Sequence, residues 1–111
     1  MAEVSKRFAK GHIVGSGTIS DNVVAYTVPE NKNSFVKAIT LCNPRSALNV
    51  RVTVKFAGIS LISYYEIKPS DTITIPFIDQ ILEAGETIEI LIQGTTQFEL
   101  NYYISGREVD A

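Results

Sequence analysis

Residues 48–56, LNVRVTVKF, alternate without a fault: Leu48, Val50, Val52, Val54 and Phe56 on one side, Asn49, Arg51, Thr53 and Lys55 on the other. Successive strand side chains point to opposite faces, so this stretch predicts a strand with one face in a core and one in water. A helix would spread the same apolar residues around its circumference. Residues 22–28 (NVVAYTV) put Val24, Tyr26 and Val28 on one face. In residues 34–42 (SFVKAITLC), Phe35, Ile39 and Leu41 share a face with Lys37, while Val36, Ala38 and Cys42 share the other with Thr40. Apolar residues on both faces predict a central strand covered on both sides, and the turn at 43–47 makes residues 48–56 its hairpin partner.

The rest of the chain repeats the pattern. Residues 59–67 (ISLISYYEI) set Leu61, Tyr65 and Ile67 against Ile62, Tyr64 and Glu66. Residues 72–77 (TITIPF) turn Ile73, Ile75 and Phe77 inward, and Pro76 marks an edge. Residues 78–82 read as a short crossing segment. Residues 87–93 (TIEILIQ) place Ile88, Ile90 and Ile92 inward with Leu91 on the other side, and residues 97–105 (QFELNYYIS) point Phe98, Leu100, Tyr102 and Ile104 inward. Turn signals punctuate the series at Gly15-Ser16-Gly17, 29–33 (PENKN), 68–71 (KPSD), 83–86 (EAGE) and 94–96. No segment has a helical period with caps. The reading is all-β: a single antiparallel β-sandwich, jelly-roll-like or immunoglobulin-like, of about seven to eight strands.

Residues 1–10 are polar and basic, with Val4 and Phe8 set apart. They read as a flexible basic N-terminal arm, Phe8 being its one candidate anchor on a neighbour; residues 11–111 form the sandwich domain, in which 12–14 make a short strand, and 106–111 form a tail. The chain has 111 residues and a mass of 12.2 kDa. Scaling laws give ~6,000 Å² of surface when folded against ~18,000 Å² unfolded, enough burial for one core without disulfides or metal.

Charge changes the picture in two ways. The net charge of −2 lacks the basic excess of a nucleic-acid binder. It is also unevenly spread: residues 1–55 carry eight Lys and Arg against three acids, and residues 56–111 carry two against nine. Interleaved strands would mix the two halves in space; kept apart, they would favour head-to-tail association of copies. The single cysteine, Cys42, permits no internal disulfide, and no apolar run is long enough to span a bilayer as a helix. The N-terminus lacks a signal-peptide core, so synthesis in a cytoplasm is expected.

Motifs for chemistry are missing. His12 is the only histidine, and with one cysteine it supplies neither a nucleophile pair nor a zinc site. Cys42 reads as a small buried hydrophobe. The Gly15–Gly17 bend precedes no helix that could hold a phosphate. Asp71, Asp79, Glu83, Glu86 and Glu89 cluster near turns, where hard oxygen ligands suit calcium, but without the spacing of a known loop; solvated turn acids are the simpler reading. No two acids stand out as a glycosidase pair. The expectation is a protein that is not an enzyme and takes no cofactor or metal.

Two tyrosine pairs remain. Alternation forces one member of each outward, assigning Tyr65 and Tyr102 inward and Tyr64 and Tyr103 outward. Ile62 and Leu91 also fall on the nominally outward side. With Phe8, these make the candidate interface set Phe8, Ile62, Tyr64, Leu91 and Tyr103, since exposed aromatic and apolar side chains on strands anchor partners.

Four stretches resemble a known group in combination: AYTVPENKNSFVKAITLCNPRSA (25–47), YYEIKPSDTITIP (64–76), DQILEAGETIEI (79–90) and NYYISGREV (101–109). In this order they resemble small β-sandwich virion proteins and modules of tailed bacteriophages and prophages, with Pro29, Asn43 and Gly85 matching as turn residues. The resemblance implies a non-enzymatic virion structural protein, as capsid decoration or a head, tail or fibre accessory, acting through repeated protein–protein contacts. The implied partners are other virion proteins, major capsid or tail, with homo-oligomeric or lattice-bound copies, and no nucleic acid or membrane. The implied location is the virion, after synthesis in the host cytoplasm. The alternative is a carbohydrate-binding adhesin module that uses exposed tyrosines on a host glycan.

Overall fold

Every stretch with two-residue periodicity is a strand in the computed structural model, which describes residues 3–16, 21–93 and 97–111. The strands are β1 (Glu3–Ser16), β2 (Asp21–Thr27), β3 (Lys32–Cys42), β4 (Val50–Phe56), β5 (Ile59–Ile67), β6 (Thr72–Leu82), β7 (Thr87–Gln93) and β8 (Gln97–Asp110). They form two four-stranded antiparallel sheets, ordered β1-β8-β3-β6 and β2-β7-β4-β5. Among the described residues there is no helix. The bend at Gly17 and the turn at 94–96 lie outside the described residues.

The strand order decides between the two sandwich types. Only β4 and β5 are consecutive strands within one sheet; every other connection passes from one sheet to the other. This is the jelly roll, two interlocked Greek keys of eight strands. It corrects one pairing: residues 34–42 and 48–56 are not a hairpin, because β3 and β4 belong to opposite sheets. The turn between them is instead a bridge, held by Asn43. That side chain is fully buried; its Nδ2 donates to Leu48 O (2.8 Å) and Ile67 O (3.0 Å), and its Oδ1 accepts from Arg45 N (3.1 Å). A second bridge ties the 29–31 turn to the 83–86 turn: Gly85 N donates to Val28 O and Val28 N to Glu86 O. Gly85 is at φ +84°, where a side chain would be strained.

The core lies between the sheets. Val50, Val52, Val54 and Phe56 of β4 face Ile39, Leu41, Leu100 and Ile104 of the other sheet, with Ile88, Ile90 and Ile92 of β7 beside them; all are buried. Each fully buried aliphatic side chain contributes roughly 1.5–3 kcal/mol.

Departures from alternation have one cause, the β-bulge. In β3 the register shifts between Val36 and Ala38, with Lys37 as the extra residue. An inserted residue flips the phase of the strand. Val36, Ile39 and Leu41 therefore all point inward, and Phe35 does not. The apolar residues read as a second covered face are thus one face counted on two phases, although β3 is central as expected. In β5, Val52 pairs with Tyr65 and Val54 with Ile62, so two residues oppose Thr53. Ile62 is consequently core, at 8% exposure, whereas Leu61 and Tyr65, expected inward, are exposed.

The ends of the chain are also strands. From Glu3 onward, the segment expected as an arm pairs with β8, from Glu3 opposite Val109 to Ser16 opposite Gln97. The boundary expected at residue 10 has no structural counterpart, and the expected tail at 106–110 is the end of β8. Residues 78–82 continue β6 rather than crossing. Pro76 sits in β6, which is an edge strand, as its missing N–H requires.

Candidate binding surfaces

Each sheet has one face in the core, so function is sought on the two outer faces. On the β2-β7-β4-β5 sheet, outward positions follow from the pairs Leu91–Thr53, Lys55–Glu89 and Arg51–Glu66. Tyr64 sits beside Thr53 in the β5 bulge and donates its backbone N–H to Thr53 Oγ1 at 3.0 Å. Its φ of 49° is a left-handed conformation unusual for a bulky residue. The row Leu91–Thr53–Tyr64 thus forms a mostly apolar strip, its middle residue Thr53 itself buried at 5% exposure, flanked by charges of both signs. Tyr64 is 56% exposed and Leu91 half-buried. Ile59, Leu61 and Tyr65 extend the exposed apolar surface along β5, the sheet edge.

The outer face of the β1-β8-β3-β6 sheet carries a depression of about 480 Å³ over three adjacent strands. Register arranges its side chains in two rows. Lys10, Tyr103 and Thr40 lie opposite one another in the first; His12, Asn101 and Cys42 form the second. Thr40 Oγ1 is 3.1 Å from Thr74 Oγ1 on β6. His12 Nδ1 is hydrogen-bonded to Asn101 Oδ1. Glu99 lies outside the rim, 3.4 Å from His12 Nε2 and 3.2 Å from Arg45 Nη1. The Arg7 guanidinium stands 5.8 Å from the Tyr103 ring centroid.

Of the five candidate interface residues, the structure brings Tyr64 and Leu91 together around Thr53. Tyr103 is 46% exposed but lies on the opposite face of the sandwich. Ile62 is core. Phe8 is an internal anchor rather than an external one: its ring stacks on Tyr26 with centroids 4.7 Å apart and planes 12° apart. Tyr26 reaches across to Ser34 Oγ (2.9 Å) and Glu108 Oε2 (3.4 Å), and burial, the largest influence, raises its hydroxyl pKa above the usual value. Lys32 is also raised, by its hydrogen bond to Asp110 at 2.5 Å.

Sequence reasoning missed Lys10, His12, Thr40 and Asn101 as neighbours. Only the pairing of β1 and β3 with β8 joins them, and no local signal encodes that. Cys42, expected buried, is half-buried at the floor of the depression. The turn acids serve their turns: Asp71 Oδ1 accepts from Thr72 N, and Glu86 Oε1 accepts from Glu83 N. The side chain of Asp79 lies outside the described residues. Among the described residues, no three His, Cys, Asp or Glu side chains converge as a metal site would require. The segregated charges do mix, because basic β1 pairs with acidic β8.

Neither protein-family models nor curated protein sequences give a match to this sequence. Solved structures do, at the level of fold. A chain of the cyanophage Pam1 capsid asymmetric unit matches with a TM-score of 0.63 at 13% identity, over 95% of this chain and 85% of that one. A chain of the infectious bursal disease virus Gx strain matches at 0.60 and 9% identity, over 99% of this chain; the present chain spans about a third of it, 32%. PirA matches at 0.54 and 11% identity, over 86% of this chain and 93% of that one. The chain therefore shares its sandwich fold with a chain of the cyanophage capsid asymmetric unit, with part of a chain from the infectious bursal disease virus structure and with PirA.

Proposed function

We propose that this protein is a non-enzymatic structural component of a bacteriophage particle, a capsid decoration or a head or tail accessory. The observation that carries the reading is the eight-strand jelly roll, shared over nearly the full length of both chains with a cyanophage capsid component. The four stretches that resemble tailed-phage modules support it independently. The contact surface in this reading is the Leu91–Thr53–Tyr64 strip with the adjoining β5 edge, docked on a major capsid or tail protein. Many copies on a lattice let weak single contacts sum to firm attachment. The test is quantitative mass spectrometry of particles banded from the encoding phage or induced prophage. The reading expects this protein in fixed stoichiometry to the major capsid or tail protein; particles that lack it altogether overturn the reading.

A further inference from the structure

We propose that the depression on the outer face of the β1-β8-β3-β6 sheet binds an acidic sugar, a hexuronic acid residue of an anionic polysaccharide. This goes beyond the particle role, and uses a different face of the sandwich from the strip assigned to docking.

Shape comes first. At about 480 Å³ the depression falls in the ~300–1,000 Å³ range of small-molecule sites. Its lining sets the short side chains of Thr40, Cys42 and Asn101 beside the longer ones of Lys10, His12 and Tyr103. Strands lie ~4.8 Å apart, so the three-strand grid offers a floor about two strand spacings wide, the scale of a sugar ring.

The chemistry is that of a sugar site. The Tyr103 ring, on a residue 46% exposed, offers an apolar surface for the C–H face of a pyranose. The His12–Asn101 hydrogen bond occupies Asn101 Oδ1 and orients the amide, leaving Nδ2 to donate to a sugar hydroxyl. Thr40 Oγ1 adds a group that both donates and accepts.

Charge sets the class of sugar. Although the chain as a whole is negative, no acid is among the described residues that line the depression. The carboxylate of Glu99, outside the rim, is already paired with Arg45. Lys10 lies directly opposite Tyr103 and has no ion pair among the described residues, and Arg7 stands over the same ring. A carboxylate on a ring stacked at Tyr103 would meet Lys10. A neutral sugar would leave that charge unused, and a simple anion would leave the tyrosine unused.

Cys42 provides a reporter, as the only thiol of the chain and part of the floor. The experiment titrates the isotope-labelled chain with digalacturonate, with lactose and sodium acetate in parallel. It follows amide shifts and the rate of Cys42 alkylation by iodoacetamide. Digalacturonate is expected to shift amides of 10–12, 40–42 and 101–103 and to slow alkylation. Tyr103→Ala and Lys10→Gln are each expected to weaken binding by about tenfold, and Lys10→Arg by much less. Absence of saturable shifts at millimolar digalacturonate overturns the proposal, as do shifts confined to other residues. Equal binding of lactose overturns the acidic class, and equal binding of acetate overturns the sugar. Particle composition is measured separately, so either idea can fail while the other stands.

Discussion

Gly106 of β8 lies so close to Phe35 of β3 that a Cβ built on it would sit 2.1 Å from the Phe35 carbonyl oxygen and 2.6 Å from Phe8 Cε2. The neighbour is backbone, next to the Lys37 bulge, and cannot swing aside. Gly106→Ala is therefore expected to destabilise the fold by about 3 kcal/mol or more, through overpacking. Gly11 is the instructive comparison. Its added Cβ would meet the Tyr102 ring at 2.5 Å, but the obstacle is the end of a side chain. Gly11→Ala is expected to cost about 1 kcal/mol. Thermal unfolding of the two variants, followed by circular dichroism, checks the order; equal losses would mean that the β3–β8 contact is not rigid.

Asn43 supports a similar argument from hydrogen bonds. It is fully buried, and its amide satisfies two carbonyls and one N–H, the bond to Ile67 O buried and the other two partly so. Asn43→Ala removes all three bonds and leaves Ile67 O buried without this partner, and an unsatisfied buried group costs about 1–3 kcal/mol. Chemical denaturation should show a large drop in midpoint. Asn43→Asp should fare little better, since a carboxylate cannot donate to Leu48 O or Ile67 O. An unchanged midpoint in Asn43→Ala would show that the 43–49 bridge is not part of the cooperative fold.

The Phe8–Tyr26 stack carries a prediction at alkaline pH. Burial holds the Tyr26 hydroxyl protonated above its usual range, and Lys32 is held charged above its own by Asp110. Both pKa values are raised on folding, so the folded chain binds more protons than the unfolded one just above pH ~10. The stabilisation is complete below the unfolded pKa values and is lost as pH rises through the folded ones. In a near-ultraviolet titration of the five tyrosines, a late-ionising component is expected, and Tyr26→Phe should remove it. A late component that survives in Tyr26→Phe would assign the raised pKa to another residue.

Where the chain alternated without interruption, the structure was legible. Val50, Val52, Val54 and Phe56, and Ile88, Ile90 and Ile92, face the core as their pattern requires, although Leu48 falls outside the strand and Thr53, expected in water, is buried. Errors arose at bulges, because one inserted residue reverses every inward assignment beyond it. Lys37 did this in β3, and the Ser63–Tyr64 pair did it in β5, turning Ile62 in and Leu61 out. β1 was missed for a different reason. Its polar, basic residues gain strand structure from pairing with β8, about ninety positions away, which no local pattern encodes. The depression depends on the same pairing, so its lining residues could not be grouped from the sequence, although Tyr103 was correctly placed outward.

Tyr64 offers a way to separate stability from attachment. Its left-handed backbone, φ 49°, strains a bulky aromatic residue, whereas Asn adopts that conformation readily. Tyr64→Asn keeps the N–H that bonds Thr53 Oγ1 and removes the ring from the Leu91–Thr53–Tyr64 strip. The variant is expected to gain on the order of 0.5–1 kcal/mol in stability, seen as a higher melting temperature. In the same variant, binding to particles stripped of the protein should fall by about tenfold or more, since a central aromatic anchor is lost. Leu91→Lys should weaken attachment similarly, and Ile81→Lys, at a more exposed position on edge strand β6 of the other sheet, should not. If Tyr64→Asn binds particles as the parent does, the strip is not the docking surface. Loss of binding in Ile81→Lys alone would move that surface to the β6 edge.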